Sequence, residues 1–399
     1  MTSPSLAGSP AVVRGRVVTP DNVIEDGVVV AAHDGLSFVG PTQSWPASHP
    51  GGVLPDPMGT ILPGLVDIHC HGGGGSAFTA SSEARAAARH HHGRGTTSVV
   101  ASLMTAPAAE LAVQVETLAP LVQEGLIAGV HLEGPFLSPR RCGAQPPEFL
   151  LEPDQELVAR LLDHAAGTVQ VMTLAPELPG AADVARQLRA AGVVVALGHT
   201  DATYDVFKAQ LEALEGTALV THLANGMPAL HHRAPGPVAA ALEAVRSGLA
   251  VVELIADGVH LSDGFVAMVA TVGAPNTVAL VTDAMVAAGM PDGRYDLGAQ
   301  RVEVRAGVAR LAPVGESVEG AQTSIAGGTS HLLDVVARTV HGAGIPLLDA
   351  VRAASSTPAK VLGLDRHVGA LRPGLAADLL VVDGGLGLLH VMRRGEWLS

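Results

Sequence analysis

Gly129-Val130-His131-Leu132-Glu133-Gly134-Pro135-Phe136 is a short apolar run that ends in a carboxylate and is broken at once by Gly-Pro. A carboxylate closing a buried strand is costly unless it is paired, so Glu133 marks a place where the chain does more than pack. The run is one of eight. Apolar stretches at 65–71, 97–102, 129–133, 170–176, 193–199, 219–225, 252–257 and 278–283 have the near-continuous apolar character of strands buried on both faces. Helix-forming stretches follow them at 83–92, 108–123, 155–165, 181–191, 204–214, 237–247, 263–272 and, after a long insertion, 330–341. Eight such units predict an α/β fold, a (β/α)₈ TIM-like barrel over 63–367. A further helix pair, 347–353 and 358–364, leads out of it.

The two chain ends have a different texture. Short β-rich runs at 11–13, 16–18, 27–32 and 36–39, broken by Gly, Pro and Asp, are matched at the far end by 377–383 and 389–392. Neither piece has enough strands to stand alone. They are expected to fold together as one small discontinuous β-sandwich domain, 1–62 with 368–399.

With 399 residues, 48% hydrophobic and 16% charged, the chain can bury a large core, and no tract is polar enough to suggest disorder. A net charge of −14 argues against sequence-independent nucleic-acid binding, while leaving room for a locally basic pocket that holds an anion. Cys70 and Cys142 cannot make a disulfide framework, and Met1-Thr2-Ser3-Pro4-Ser5-Leu6 has neither the basic nor the apolar region of a secretion signal. No apolar run approaches the roughly 20 residues of a membrane span. The protein is expected to be cytoplasmic, with no nucleic-acid or membrane partner.

Barrel enzymes place their chemistry at the carboxyl ends of the strands, and six of the eight runs here deliver His, Asp or Glu to that rim. In His69-Cys70-His71, period 2 puts both imidazoles on one strand face and the thiol on the other, as a metal pair needs. Glu133, His199 and His222 make a His₂-carboxylate set that leaves a fourth position for water. Asp283, beside such a water, can take its proton. His260 and Asn225 either orient a substrate or hydrogen-bond their own loops. His90-His91-His92, before Gly93, is expected at a helix C-terminus, where imidazoles meet the last carbonyls and the dipole. His231-His232-Arg233 is either a solvated loop or a basic contact for an anionic substrate group.

These stretches, with Pro63-Gly64-Leu65-Val66-Asp67-Ile68 before the His pair, Ala256-Asp257-Gly258-Val259-His260 and Val281-Thr282-Asp283-Ala284, closely resemble the N-acetylglucosamine-6-phosphate deacetylases of the amidohydrolase superfamily. The resemblance covers nearly the whole chain. The His-x-His pair and the closing Leu371-Arg372-Pro373-Gly374 identify only the superfamily. His131-Leu132-Glu133-Gly134-Pro135-Phe136, Gly198-His199-Thr200-Asp201-Ala202 and Thr221-His222-Leu223-Ala224-Asn225-Gly226-Met227-Pro228 are specific to the deacetylases. The resemblance implies hydrolysis of N-acetylglucosamine 6-phosphate to glucosamine 6-phosphate and acetate. It implies Glu133, His199 and His222 as ligands of a divalent ion, Zn²⁺ or Fe²⁺, and Asp283 as the catalytic acid/base. It further implies that Asn225, His260 and the backbone of Gly226 hold the substrate, and that Arg233 reaches the phosphate across a homodimer interface. His69 and His71 are similar to the second-ion ligands of those members that bind two, so one or two ions per subunit stays open.

Some features depart from the family or its relatives. The fourth run, Val171-Met172-Thr173-Leu174-Ala175-Pro176-Glu177, has no lysine to carry a bridging carboxylate, so Glu133 has to supply the negative charge. Where the family often has a histidine that polarises the amide carbonyl, this chain has Gln145, a donor without charge. Cys142 in the same loop is a passive or a reactive thiol. Ile325-Ala326-Gly327-Gly328-Thr329-Ser330 has Gly where Ser is common. The alternatives are another metal-dependent amidohydrolase, acting on a different N-acyl amino sugar or a cyclic amide, and a non-catalytic barrel. The last predicts no bound metal, yet every ligand the reaction requires is present.

Overall fold

The computed structural model describes residues 10–45, 54–214, 216–312 and 323–398. Residues 1–9, on which the reading of the chain start rests, and 46–53 of the expected small domain lie outside them. Eight strands form the barrel: β1 Leu65–Cys70, β2 Thr96–Met104, β3 Gly129–Glu133, β4 Val169–Leu174, β5 Val194–Leu197, β6 Ala218–Val220, β7 Ala250–Leu254 and β8 Val278–Leu280. They pair in chain order, every neighbour parallel. Helices α1 Ser81–His92, α2 Ala108–Gln123, α3 Gln155–Ala165, α4 Ala181–Ala190, α5 Tyr204–Ala213, α6 Gly236–Ser247, α7 Asp263–Val272 and α8 Leu332–His341 alternate with them. The pair α9 Leu347–Ala353 and α10 Ser356–Val361 follows.

Leu103, Leu132, Leu174, Leu197 and Val220 of the strands pack against Leu118, Leu161, Leu188, Phe207 and Val245 of the helices. Each such side chain contributes about 1.5–3 kcal/mol on burial. Inside the barrel, Val66, Ile68, Val100, Val171, Leu219 and Val251 fill the space together with Ala359 of α10. The closing seam between β8 and β1 is confined to the carboxyl end. There Cys70 bridges Ala284, the Asp283 N–H donates to the His69 carbonyl (2.9 Å), and the His71 N–H donates to the Ala284 carbonyl (2.7 Å). At the amino end of β1 the Val66 N–H donates instead to the Ala354 carbonyl (2.9 Å). The seam therefore brings Asp283 against the His69-x-His71 pair.

The chain ends form one seven-stranded sheet in the order Glu396–Leu398, Leu388–Arg393, Leu379–Val382, Thr60–Pro63, Ala11–Val18, Val23–Ala32, Gly35–Pro41. Thr60–Pro63 joins the halves, parallel to Ala11–Val18 and antiparallel to Leu379–Val382. The expected sandwich is thus one continuous ladder curled on itself: Val17, Val29 and Leu36 of one half share a core with Leu379, Val381 and Met392 of the other. The insertion before α8 holds a three-stranded antiparallel sheet, Gly293–Leu297, Gln300–Arg305 and Val308–Leu311, which the sequence reading passed over as a long insertion. Its Leu297 and Val302 pack with Met285 and Met104 beside the carboxyl rim. No helix among the described residues is long and apolar enough to cross a membrane.

Candidate active site

Glu133, the last residue of β3, stands at the centre of the rim with 2% of its surface exposed. Its Oε1 lies 3.0 Å from His199 Nε2 and 3.0 Å from His222 Nε2, and those two nitrogens are 3.1 Å apart. On the other side, His71 Nε2 is 3.1 Å from Glu133 Oε2, His69 Nε2 is 3.5 Å from Oε1, and the two imidazole nitrogens are 3.2 Å apart. Asp283 Oδ1 completes this half, 3.4 Å from His69 Nε2 and 3.3 Å from His71 Nε2. Two triads, Glu133-His199-His222 and His69-His71-Glu133, thus share one carboxylate. Cys70 points the other way, its Sγ 3.2 Å from His91 Nε2 of α1.

The strands stop short of these residues. The sequence predicted strands running to 199, 225 and 283, whereas β5, β6 and β8 end at Leu197, Val220 and Leu280. Just beyond, His199 (φ 45°), His222 (φ 25°) and Asp283 (φ 46°) adopt left-handed backbone, which costs a side-chain-bearing residue about 1–3 kcal/mol. That conformation turns the three side chains back over the barrel axis. Gly226 (φ 61°) is required for a different reason, because a Cβ there would sit 3.0 Å from His199 Nδ1.

Further contacts set the imidazole tautomers. His199 Nδ1 lies 2.7 Å from the Arg141 carbonyl, an acceptor only, so Nδ1 carries the proton and Nε2 offers its lone pair to the centre. His69 Nδ1 donates likewise to Glu253 Oε2 at 2.9 Å. Glu253 was not singled out from the sequence, although a carboxylate inside the apolar run Val251-Val252-Glu253-Leu254-Ile255 is itself a signal. His131 lies beneath the site, its ring edge-on to His69 at 4.6 Å. Its nitrogens are held by Ser102 Oγ (2.9 Å) and Thr173 Oγ1 (2.8 Å).

A cavity of about 390 Å³ opens above the metal-ligand set. His71, Glu133, His199, His222 and Asp283 line it, as do Gln145, Asn225, Gly226 and His260. His260 is aimed by Asp257, whose Oδ2 lies 2.8 Å from His260 Nδ1 and whose Oδ1 accepts the His260 N–H at 2.8 Å. Gln145 is buried and uses its amide on the site itself: Nε2 donates to Glu133 Oε2 (2.6 Å) and Oε1 accepts the Thr105 N–H (2.8 Å). Arg233 does not line the cavity; it is exposed on the loop after β6. The triple histidine ends α1 as expected, and His91 and His92 are buried there, with His91 Nε2 2.9 Å from the Gly72 carbonyl.

Charge is tightly balanced here. Burial alone would raise the Asp283 carboxyl, but the His69 charge and a hydrogen bond from His71 hold it down to about 2. Burial disfavours charge on His71, yet hydrogen bonds to Asp283 and Glu133 push it up to about 9. Against the same burial, the Glu133 charge raises His199, and Glu133, Glu253 and Asp283 together raise His69. The set therefore accepts positive charge at neutral pH. A divalent cation fits this donor set. Ligands at about 2.0–2.1 Å in a tetrahedron lie about 3.3 Å from one another, close to the 3.0, 3.0 and 3.1 Å edges of the first triad.

A barrel rim with two histidine–carboxylate triads and an adjacent aspartate is a metal-hydrolase architecture, and the sequence profile of the amidohydrolase family matches residues 60–398. The chain belongs to the amidohydrolase family. It is 32% identical over 378 residues to the N-acetylglucosamine-6-phosphate deacetylase of Vibrio furnissii, covering 93% of this chain and 90% of that protein. It is 33% identical over 345 residues to the N-acetylgalactosamine-6-phosphate deacetylase of Escherichia coli O157:H7, covering 85% of this chain and 88% of that one. Among solved structures, a variant of the N-acetyl-D-glucosamine-6-phosphate deacetylase from Mycobacterium smegmatis, in complex with N-acetyl-D-glucosamine-6-phosphate, matches with a TM-score of 0.89. That protein is 40% identical, with 98% of this chain and 99% of that chain covered.

Proposed function

We propose that the protein is an N-acetylglucosamine-6-phosphate deacetylase that hydrolyses the acetamide to acetate and glucosamine 6-phosphate. The observation that carries the reading is the shared carboxylate of Glu133 between two histidine pairs, with Asp283 against one of them. Glu133, His199 and His222 would hold a Zn²⁺ or Fe²⁺ ion, and His69 and His71 with Glu133 a second. When bound, such an ion supplies Lewis acidity and lowers the pKa of water from 15.7 towards about 7.

The chain's own residues do the rest. Asp283 is a carboxylate at neutral pH, so it starts as the base and accepts a proton from the attacking water. As the water oxygen bonds to the acetyl carbon, Asp283 returns that proton to the amide nitrogen, the C–N bond breaks and the amine leaves. His260, held by Asp257, and Asn225 orient the sugar, and the backbone of Gly226 lies against it. Gln145 has one N–H on Glu133; its second is the one available to the acetyl carbonyl. Arg233, exposed outside the cavity of its own chain, would reach the phosphate of a substrate bound in the neighbouring subunit of a homodimer. The division into 63–367 and a discontinuous small domain, and a cytoplasmic location, belong to the same reading.

The E. coli relative raises a second substrate, the galacto epimer. Acetate release from N-acetylglucosamine 6-phosphate, N-acetylgalactosamine 6-phosphate and unphosphorylated N-acetylglucosamine separates the possibilities. The expected order places the gluco phosphate first and the unphosphorylated sugar at least ~100-fold lower in kcat/KM, the worth of a charge-assisted phosphate contact. Preference for the galacto epimer would move the assignment to that substrate. No acetate from any of the three would overturn it.

A further inference from the structure

We propose that Glu253 is the positioning residue for both metal triads: its carboxylate fixes His69 with the Nε2 lone pair turned to the metal centre and pins the turn that aims His222. The proposal rests on the reading of the triads as metal ligands and adds a residue that the reading does not use.

Glu253 is the last residue but one of β7, is 0% exposed, and is flanked in sequence by Val252 and Leu254. A lone carboxylate in such a strand is costly unless positive charge lies beside it. Its Oε2 accepts the His69 Nδ1 proton at 2.9 Å, and His69 is 0% exposed too, so no solvent competes. Because a carboxylate only accepts, the neutral His69 ring must carry its proton on Nδ1. Its Nε2 is then the lone-pair nitrogen, 3.2 Å from His71 Nε2 and 3.5 Å from Glu133 Oε1. A carboxylate behind a ligating imidazole also raises its basicity, and loss of such a partner costs 10–100-fold in metal affinity.

The same oxygen accepts the His222 N–H at 3.1 Å, and the Glu253 carbonyl accepts the Leu223 N–H at 2.9 Å. His222 has φ 25°, a backbone conformation that persists only where its surroundings hold it. One residue of β7 therefore grips β1 through its side chain and the turn after β6 through both its side chain and its carbonyl. His69 belongs to one triad and His222 to the other, so Glu253 links the two.

Metal binding tests this without substrate. Wild-type, Glu253→Ala and Glu253→Gln proteins are stripped with chelator and titrated with Zn²⁺ against a metallochromic competitor, and the melting of each stripped protein is recorded. Wild type is expected to take up two ions per subunit. Glu253→Ala is expected to lose the ion at His69 and His71 or to bind it at least ~10-fold more weakly, with weaker binding at the other triad as well. Glu253→Gln, whose amide oxygen still accepts the His69 Nδ1 proton, is expected to fall between. A purely structural role would lower the melting temperature and leave the affinity of the folded variant unchanged. Wild-type stoichiometry and affinity in Glu253→Ala, or in Glu253→Gln should the alanine variant not fold, overturns the proposal, as does a single ion in wild type. A wild-type protein that takes up no Zn²⁺ overturns the metal-ligand reading itself.

Discussion

Glu133 meets His199, His222 and, at longer range, His69 through Oε1 and His71 through Oε2, and this explains how a barrel without a lysine in β4 can still place an anion between two candidate cation sites. Asp283 stands apart from that work, on the His69 and His71 side and open to the cavity. Asp283→Asn is therefore expected to lower kcat by about 10²–10⁴ with ion content unchanged, measured by acetate release and metal analysis on one preparation. Arg233→Ala should raise KM for the phosphorylated sugar by about 10–100-fold with kcat little altered, and leave the unphosphorylated sugar unaffected, in steady-state kinetics. Most of the site was legible because its residues end apolar runs, where a His or Asp has no packing reason to be. Glu253 was not, because it sits inside a run, where hydrophobic pattern hides a single acid. The use of Gln145 on Glu133 was equally hidden, since a loop glutamine carries no sign in sequence of what its amide will meet.

Strand and helix periodicity located all eight strand–helix units, and the errors lie at the strand ends. Those ends read as too long because His199, His222 and Asp283 stand one residue, Gly198, Thr221 or Thr282, beyond apolar Leu197, Val220 and Val281, while their left-handed backbone leaves no mark on composition. Helix α1 shows the converse. His91 and His92 read as helix-end residues that meet the last carbonyls, yet both are buried, and burial pushes their pKa values down to about 4 and about 3. In the unfolded chain these imidazoles protonate near pH 6.5, so as the pH falls the unfolded state takes up protons first. Stability contributed by the neutral rings is therefore present above about pH 6.5 and is lost as the pH drops towards 4 and below. For one histidine the slope is about 1.4 kcal/mol per pH unit. His92→Leu should flatten the fall of the denaturation midpoint between pH 6.5 and 4, and chemical denaturation at stepped pH measures the difference.

At the scale of the whole molecule, the barrel is closed beside the candidate site residues His69, His71 and Asp283. The backbone pairing between β1 and the segment after β8 lies around Cys70, Asp283 and Ala284, beside the Thr282 hydroxyl that donates to Asp67, so an ion drawing His69, His71 and Glu133 together would also hold the barrel shut. An ion bound at 1,000 times its dissociation constant adds about 4 kcal/mol of stability. Chelation should accordingly lower the melting temperature by several degrees, and Zn²⁺ should restore it, in a calorimetric scan. The pairing of the two chain ends was legible from their shared β texture and too few strands apiece. That they form a single curled ladder was not, because it depends on Thr60–Pro63 pairing on both sides at once. The most direct test joins chemistry to metal in one sample: acetate release from N-acetylglucosamine 6-phosphate before chelation, after chelation and after Zn²⁺ is returned, with bound metal measured at each step. Two triads sharing Glu133 predict activity that falls and recovers in proportion to bound ion. Undiminished acetate release from metal-free protein would contradict them.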